Sequence, residues 1–232
     1  MSSSLSSKQL AIAGVVIAAS AAAVGVLLMS IPPVVGLGDK VKLPLFHGGS
    51  TWVDLILFTL MGVVGLGYLL RRDDRIYAWE VGLRAVAAPL WLVNSVLGFI
   101  AASATWDFSA SKESPLVMIS ADPRLTAQVV LLLAVAVVML ADWLVLEKRV
   151  HKAMLDVVFV VVMWGLLANV FLDPVKRALH PDSPVLNSGW VIKGPFFGMV
   201  TAVFIGMMVL AWVAASFVRS EPTADELESQ AS

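Results

Sequence analysis

Hydrophobic residues along the chain fall into six long runs, each bounded by charged residues, proline or glycine. The runs cover about residues 9–35, 53–70, 81–104, 125–146, 153–172 and 196–218. An α-helix needs about 20 apolar residues to cross a hydrocarbon core of about 30 Å, and each run is close to that length. The pattern therefore predicts an all-α polytopic membrane protein, a six-transmembrane-helix bundle that forms one membrane domain over residues 1–220.

The two ends of the chain differ in character. The first run follows Lys8 and contains small residues at signal-peptide spacing, but its length favours a retained transmembrane helix. Residues 221–232, EPTADELESQAS, are polar and acidic and predict a disordered tail.

Composition agrees with the hydrophobic pattern and excludes several classes of protein. Hydrophobic residues make up 59% of the 232 residues and charged residues 14%, whereas a soluble domain has roughly 25% charged residues. The net charge of -1 and the absence of a basic stripe exclude a nucleic-acid-binding protein. Because the chain has no cysteine, a bound metal must use histidine, carboxylate or methionine.

The orientation follows from the loops. Lysine and arginine are slightly more frequent in the segments that share a side with the N-terminus, so the positive-inside rule predicts cytoplasmic termini. We expect a protein of the cytoplasmic (inner) membrane of a prokaryote, with the first, third and fifth loops on the outer face.

The three histidines of the chain divide between the two faces of this predicted bundle. His47 follows the first span and His180 the fifth, so an even number of crossings places both on the same face. His151 lies in the basic EKRVHK turn between spans four and five, on the opposite face. Two neutral imidazoles that approach from opposite sides suit the axial positions of haem iron. We therefore expect His47 and His180 to be the metal ligands of one non-covalently bound haem b.

The longest polar connection, residues 105–126, lies between the third and fourth spans on the same face as His47 and His180. Long loops in compact proteins are often functional. Trp106 at its start offers a flat face for a porphyrin. Cationic side chains near this interface are candidates to pair with the haem propionates. They are Arg124, Lys42, Lys176 and Arg177.

Three motifs on this face resemble, in order and spacing, the cytochrome c assembly proteins that handle haem, and among them the CcmC-like branch. The motifs are His47-Gly-Gly-Ser-Thr-Trp52, Ala121-Asp122-Pro123-Arg124-Leu125-Thr126 and Lys176-Arg177-Ala178-Leu179-His180-Pro181. The resemblance covers about residues 43–218. It implies that His47 and His180 are the axial haem ligands and that the loop from Trp106 to Asp122 is the haem platform. It also implies that Trp52, Arg124 and Arg177 belong to the haem site.

The loop departs from the family pattern, because Trp106 is its one tryptophan and Ala121 stands where the family has another. The resemblance implies a carrier that takes haem at the outer face and passes it to a partner, without bond-making chemistry of its own. The implied partners are a haem chaperone, other membrane subunits of a maturation or redox complex, and membrane lipid. The alternative is an electron-transfer subunit of a redox complex that retains its haem b.

Several ionisable residues fall inside or beside the predicted spans, where charges are costly. Asp54 is expected either to accept a hydrogen bond from a ligand imidazole or to lie in the headgroup zone. Glu80 and Arg84 are four residues apart on one helical face and predict a local ion pair. Asp142 and Asp156 are expected to neutralise the cations of the EKRVHK turn. Polar residues nearer the midplane are isolated, so no proton path is predicted.

Overall fold

The computed structural model describes residues 5–108, 114–178, 185 and 188–220. Within these ranges the chain forms eight α-helices and no strand. The helices are α1 (Ser7–Ser30), α2 (Lys42–Arg71), α3 (Asp74–Thr105), α4 (Pro115–Ser120), α5 (Pro123–Leu144), α6 (Arg149–Phe171), α7 (Pro174–Ala178) and α8 (Trp190–Ser220). All except the short α4 and α7 are long and apolar enough to cross a membrane, which confirms the all-α six-helix bundle. The predicted disordered tail, residues 221–232, lies outside the described residues.

The first span is shorter than the hydrophobic run suggested. α1 ends at Ser30 because Ile31 adopts an extended conformation ahead of two prolines. The chain then turns back at Gly36 and Gly38, which both have the positive φ angles that favour glycine. A short 3-10 helix, Asp39–Val41, leads directly into α2.

α2 begins at Lys42, well before the predicted start at residue 53, so His47 lies within a helix and not in the preceding loop. The expectation that residues 43–52, LPLFHGGSTW, belong to the connection between the first two spans was wrong for two reasons. Pro44 falls in the first turn, where a proline does not interrupt helical hydrogen bonding. Gly49 allows α2 to pack closely on α8, because a β-carbon there would lie 2.9 Å from Met199 Cε. Tertiary packing therefore compensates for the weak helix propensity of glycine.

The long helices run alternately up and down. Contacts between α2 and α6 show this, because Gly62 faces Val160 and Gly65 faces Val157, an antiparallel register. The starts of α2 and α5 and the ends of α3 and α6 therefore lie together, and we call this the histidine end. His151, in the first turn of α6, is exposed at the opposite end, as the count of crossings predicted.

The bundle core is an aromatic and aliphatic layer between its two ends. Phe58 on α2 makes edge contacts with Trp91 on α3 at 6.0 Å and with Phe159 on α6 at 5.1 Å between ring centroids. All three side chains are buried. This apolar layer separates two buried polar groups, one toward each end of the bundle.

α1 and α8 complete the bundle on one side. α8 packs against α1, α2 and α3. α1 approaches α8 closely at Gly206, where a β-carbon would lie 3.2 Å from Ser20 Cβ. Among the described residues, no Cα atoms of α1 and α3 lie within 8 Å of each other, and a cleft lined by both helices lies between them.

Candidate functional site

His47 is half-buried on α2, and its imidazole is directed toward α3. A β-carbon at Gly98 would lie 2.7 Å from His47 Cε1 and 3.0 Å from His47 Nε2, so glycine leaves the space that the ring occupies. The same position lies 3.0 Å from Gln128 Oε1 on α5. The imidazole is therefore held among three helices at the histidine end.

Gln128 adds hydrogen-bonding capacity beside this imidazole. Its backbone carbonyl accepts a hydrogen bond from Trp91 Nε1 at 3.3 Å. Its side-chain Nε2 is buried and has no acceptor among the described residues. Buried polar groups are normally paired, so this amide can donate to a bound group or to water.

A buried chain of polar side chains begins one helical turn from His47. The Ser50 hydroxyl donates to Asn94 Oδ1 at 2.7 Å, and Asn94 Nδ2 donates to Asp54 Oδ2. All three residues are at most 1% exposed. Asp54 is therefore buried inside the bundle with Asn94 as its donor, and Asn94 is not isolated as the sequence had suggested. The other Asp54 oxygen, Oδ1, has no hydrogen-bond donor among the described residues.

Asp122 and Arg124 organise the start of α5. Asp122 is buried and accepts hydrogen bonds from the backbone N–H groups of Arg124 and Leu125, at 2.9 and 3.0 Å. This is an N-cap, and Pro123 occupies the first helical position that suits proline. The Arg124 guanidinium lies over the Phe171 ring at 5.2 Å, which links the start of α5 to the end of α6. The Asp-Pro-Arg-Leu motif therefore has a structural role in the bundle.

The two tryptophans of the predicted site occupy different surroundings. Trp106 follows the last turn of α3 at the histidine end and is half-buried, 6.4 Å from the Phe108 ring. Trp52 is 67% exposed on α2. It lies five residues after His47, about 140° around the helix, so it faces away from the imidazole. The structure therefore separates Trp52 from His47 although their motif places them close together in sequence.

The segment that leads toward His180 starts at the same end. Asp173 begins α7 by accepting hydrogen bonds from the backbone N–H groups of Lys176 and Val175. These donors, Lys176 first, lower the pKa of the exposed Asp173 carboxyl. Arg177 lies in α7, and His180 lies outside the described residues.

The lysines proposed as propionate partners have carboxylate neighbours of their own. Lys42 forms an ion pair with Asp39 at 2.7 Å, and Lys176 Nζ lies 3.7 Å from Asp173. Either lysine would have to exchange this neighbour for a propionate.

The opposite end of the bundle contains a network of ion pairs. Its partners differ from those that the sequence spacing predicted. Arg84 donates to Asp156 at 2.8 Å and pairs with Asp142 at 3.1 Å. Asp142 also pairs with Lys152 at 3.3 Å. The predicted local Glu80–Arg84 ion pair does not form within the described residues, because Arg84 reaches α5 and α6 instead. Asp142 neutralises a cation of the EKRVHK turn as expected, whereas Asp156 does not.

Glu80 is the remaining member of this network. It is fully buried on α3 against Gly65 and lies near Asp156, and neither of its oxygens has a hydrogen-bond partner among the described residues. The pair could not be found from the sequence, because Glu80 and Asp156 lie on helices that are distant along the chain.

The structure thus brings four of the predicted site residues to the histidine end: His47, Trp106, Asp122 and Arg124. It directs Trp52 outward and gives no side-chain position for Arg177. Among the described residues, no three histidine or carboxylate side chains are grouped to hold a metal ion. No protein-family model matches the chain, and no curated protein matches it.

Proposed function

We propose that this membrane protein binds haem b at the histidine end, with His47 and His180 as axial ligands, and passes it to a partner during cytochrome c maturation. The observation that carries the proposal is the position of the His47 imidazole, held between Gly98 and Gln128. Trp106 and Arg124 lie at the same end and provide an aromatic face and a positive charge. The motif resemblance to haem-handling assembly proteins adds to this support.

The residues at this end fit a haem, with one requirement. The Nε2 edge of His47 lies against Gly98, so the ring must rotate about its side-chain torsions before Nε2 can bind iron. The unsatisfied Nε2 donor of Gln128 is consistent with a bound acceptor group nearby. When bound, haem supplies an iron centre that prefers imidazole nitrogen. Arg124 would offer its charge to a propionate, and His47 would supply a nitrogen ligand to the iron.

We further propose that the protein lies in the inner membrane of a prokaryote with the histidine end outward. Lysine and arginine are slightly more frequent on the side of the N-terminus, which supports this orientation. The partner that receives haem is then a haem chaperone or a membrane subunit with an outward-facing domain. Cysteine labelling of single-cysteine variants in intact cells tests the orientation, because the native chain contains no cysteine.

Haem loading followed by transfer tests the proposed function. The purified protein is titrated with haemin, freed of excess haemin, and mixed with apomyoglobin as a general acceptor. We expect saturation at one haem per chain, a low-spin absorption spectrum, and transfer to apomyoglobin within minutes. Haemin that does not saturate, or that gives the spectrum of haemin in empty detergent micelles, would contradict the proposal.

A second candidate is an electron-transfer subunit that retains its haem. The specific observation in its favour is the buried Ser50–Asn94–Asp54 chain, which places a carboxyl inside the bundle on the helix that carries His47. Such a group can compensate a change of charge at a permanent redox centre. The same mixing experiment separates the two roles, because a retained haem stays with the protein through purification and does not pass to apomyoglobin.

A further inference from the structure

Glu80 is a carboxyl group enclosed where α2, α3 and α6 meet. Its side chain is fully buried, and neither oxygen has a hydrogen-bond partner among the described residues. A β-carbon at Gly65 on α2 would lie 3.1 Å from Glu80 Oε1, so glycine leaves the space that the carboxyl occupies. The same β-carbon would lie 3.4 Å from Val157 on α6, so the surroundings of the carboxyl on that side are apolar.

The charged groups beside Glu80 already balance one another. Arg84 pairs with Asp156 at 2.8 Å and with Asp142 at 3.1 Å. Lys152 pairs with Asp142 at 3.3 Å. Two cations therefore face two carboxylates, and an ionised Glu80 would add a negative charge that neither cation offsets.

The other ionisable residues near this position do not supply the missing positive charge. Tyr77, three residues before Glu80, is buried and neutral in its ordinary form. Arg149 lies over the Tyr77 ring at 5.1 Å and has a carboxylate partner of its own at the start of α3. The sequence has no ionisable residue in α2 from 55 to 67 or in α8 from 194 to 218.

An ionised carboxylate is costly to bury without a donor or a counter-charge, so the neutral acid is the favoured form of Glu80. The proton also serves a second group. Asp156 Oδ1 lies near Glu80 and has no donor among the described residues. A protonated Glu80 carries an O–H that can donate to this oxygen, so one proton relieves two unsatisfied carboxyl groups.

We propose that Glu80 is a proton-binding site that stabilises the contact between α3 and α6 at the end of the bundle opposite His47. With the proton bound, Glu80 is neutral and Arg84 pairs with Asp156. Without the proton, Glu80 is a carboxylate four residues from Arg84 on the same helical face, and it competes with Asp156 for the guanidinium. Loss of the proton therefore weakens the contact between α3 and α6. The site does not depend on the haem proposal.

Infrared spectroscopy of the purified protein tests whether Glu80 carries a proton, because the carbonyl stretch of a protonated carboxyl is separate from the bands of a carboxylate. Labelling of glutamate with carbon-13 in its side-chain carboxyl shifts the glutamate bands and leaves those of the buried Asp54 and Asp156 unchanged. At neutral pH we expect a shifted acid band in the native protein and its loss in Glu80→Gln. Glu147→Gln, the same change at an exposed position, should keep the band. Absence of a glutamic acid band from the native protein would overturn the site, whether or not Glu80→Gln folds.

The pH dependence of stability tests the effect of the proton. The folded protein holds a proton on Glu80 that the unfolded chain releases, so rising pH favours unfolding. From neutral to alkaline pH, the melting temperature should fall in the native protein and in Glu147→Gln, and should fall less in Glu80→Gln. Equal decreases in all three proteins would overturn the proposed effect of the proton on α3 and α6.

Replacement of sodium by choline in the buffer separates a bound proton from a bound metal cation. The acid band and the melting temperature of the native protein should not change. A melting temperature that depends on sodium, together with no acid band, would mean that Glu80 is ionised and binds a cation instead. The His47→Ala variant should keep the acid band, so failure of haem binding and failure of this site can be told apart.

Discussion

Arg84 on α3 and Asp156 on α6 form an ion pair of 2.8 Å in which both side chains are buried. Because the two residues belong to different helices, the pair fixes how α3 and α6 pack at the end of the bundle opposite His47. Removal of one partner of a buried ion pair leaves an uncompensated buried charge. The free-energy cost of that charge exceeds the net stabilisation that the intact pair provides.

Asp156→Ala should therefore lower the free energy of unfolding by about 3 kcal/mol, since Asp142 is then the one carboxylate paired with Arg84 in the described part of the chain. Asp74→Ala provides the control, because its 2.8 Å pair with Arg149 is exposed and should contribute at most about 1 kcal/mol. Reversible unfolding in sodium dodecyl sulfate measures both variants. If the two variants lost the same free energy of unfolding, burial of the Arg84–Asp156 pair would not explain its contribution to stability.

Gly82 is expected to be the glycine least tolerant of substitution. A β-carbon there would overlap the Ala211 carbonyl oxygen and lie 3.0 Å from Ala215 N, and both are backbone atoms of α8. Gly82→Ala should destabilise the protein by about 1–3 kcal/mol through overpacking. Gly165→Ala, where nothing lies within 4 Å, should be neutral or stabilising by up to about 1 kcal/mol. Thermal unfolding of the two variants in the same detergent checks this difference, and a similar melting temperature for both would contradict the packing of α3 on α8.

The Asp54–Asn94 hydrogen bond predicts energetic coupling between α2 and α3. Asn94→Leu leaves a buried carboxyl without its donor and should cost about 1–3 kcal/mol. The double variant Asp54→Leu/Asn94→Leu removes both partners, so its loss should be smaller than the sum of the single losses by about 0.5–3 kcal/mol. Unfolding titrations of the four proteins complete the cycle. Strictly additive losses would mean that the two side chains do not interact.

Gly98 controls the position of the His47 imidazole. Gly98→Ala places a methyl group where the ring lies and should push the imidazole outward. Its reaction with diethyl pyrocarbonate, measured by peptide mass spectrometry, should become several-fold faster. His151, exposed at the other end, is an internal control, and Gly194→Ala, with open space at its β-carbon position, is the matched variant. Unchanged reactivity of His47 in Gly98→Ala would show that the ring is not held against α3.

Hydropathy predicted the number of spans and the placement of His47 and His151 at opposite ends, because both depend only on the length of apolar runs. It placed the start of α2 too late, since LPLFHGGSTW contains proline, two glycines and two hydroxyl residues that are common in loops. The helix nevertheless forms, because Gly49 packs on α8 and the Thr51 hydroxyl donates to the His47 carbonyl in the preceding turn.

The spacing of residues along the sequence could not predict which side chains on different helices are partners. Glu80 and Arg84 share a helical face, yet Arg84 pairs with residues of α5 and α6. Residue spacing shows which side chains share a face of one helix. Which other helix that face contacts depends on how the helices pack. The link from Ser50 through Asn94 to Asp54 was missed for the same reason. The sequence feature that could have indicated this link is the presence of three polar residues on two adjacent helices.

The central claim is that His47 and His180 bind one haem iron, and an optical spectrum of the haem-loaded protein tests it most directly. His47→Ala and His180→Ala should each lose the low-spin bands and recover them when imidazole is added, whereas His151→Ala should match the native spectrum. Low-spin bands that persist in His47→Ala or His180→Ala without added imidazole would contradict the account.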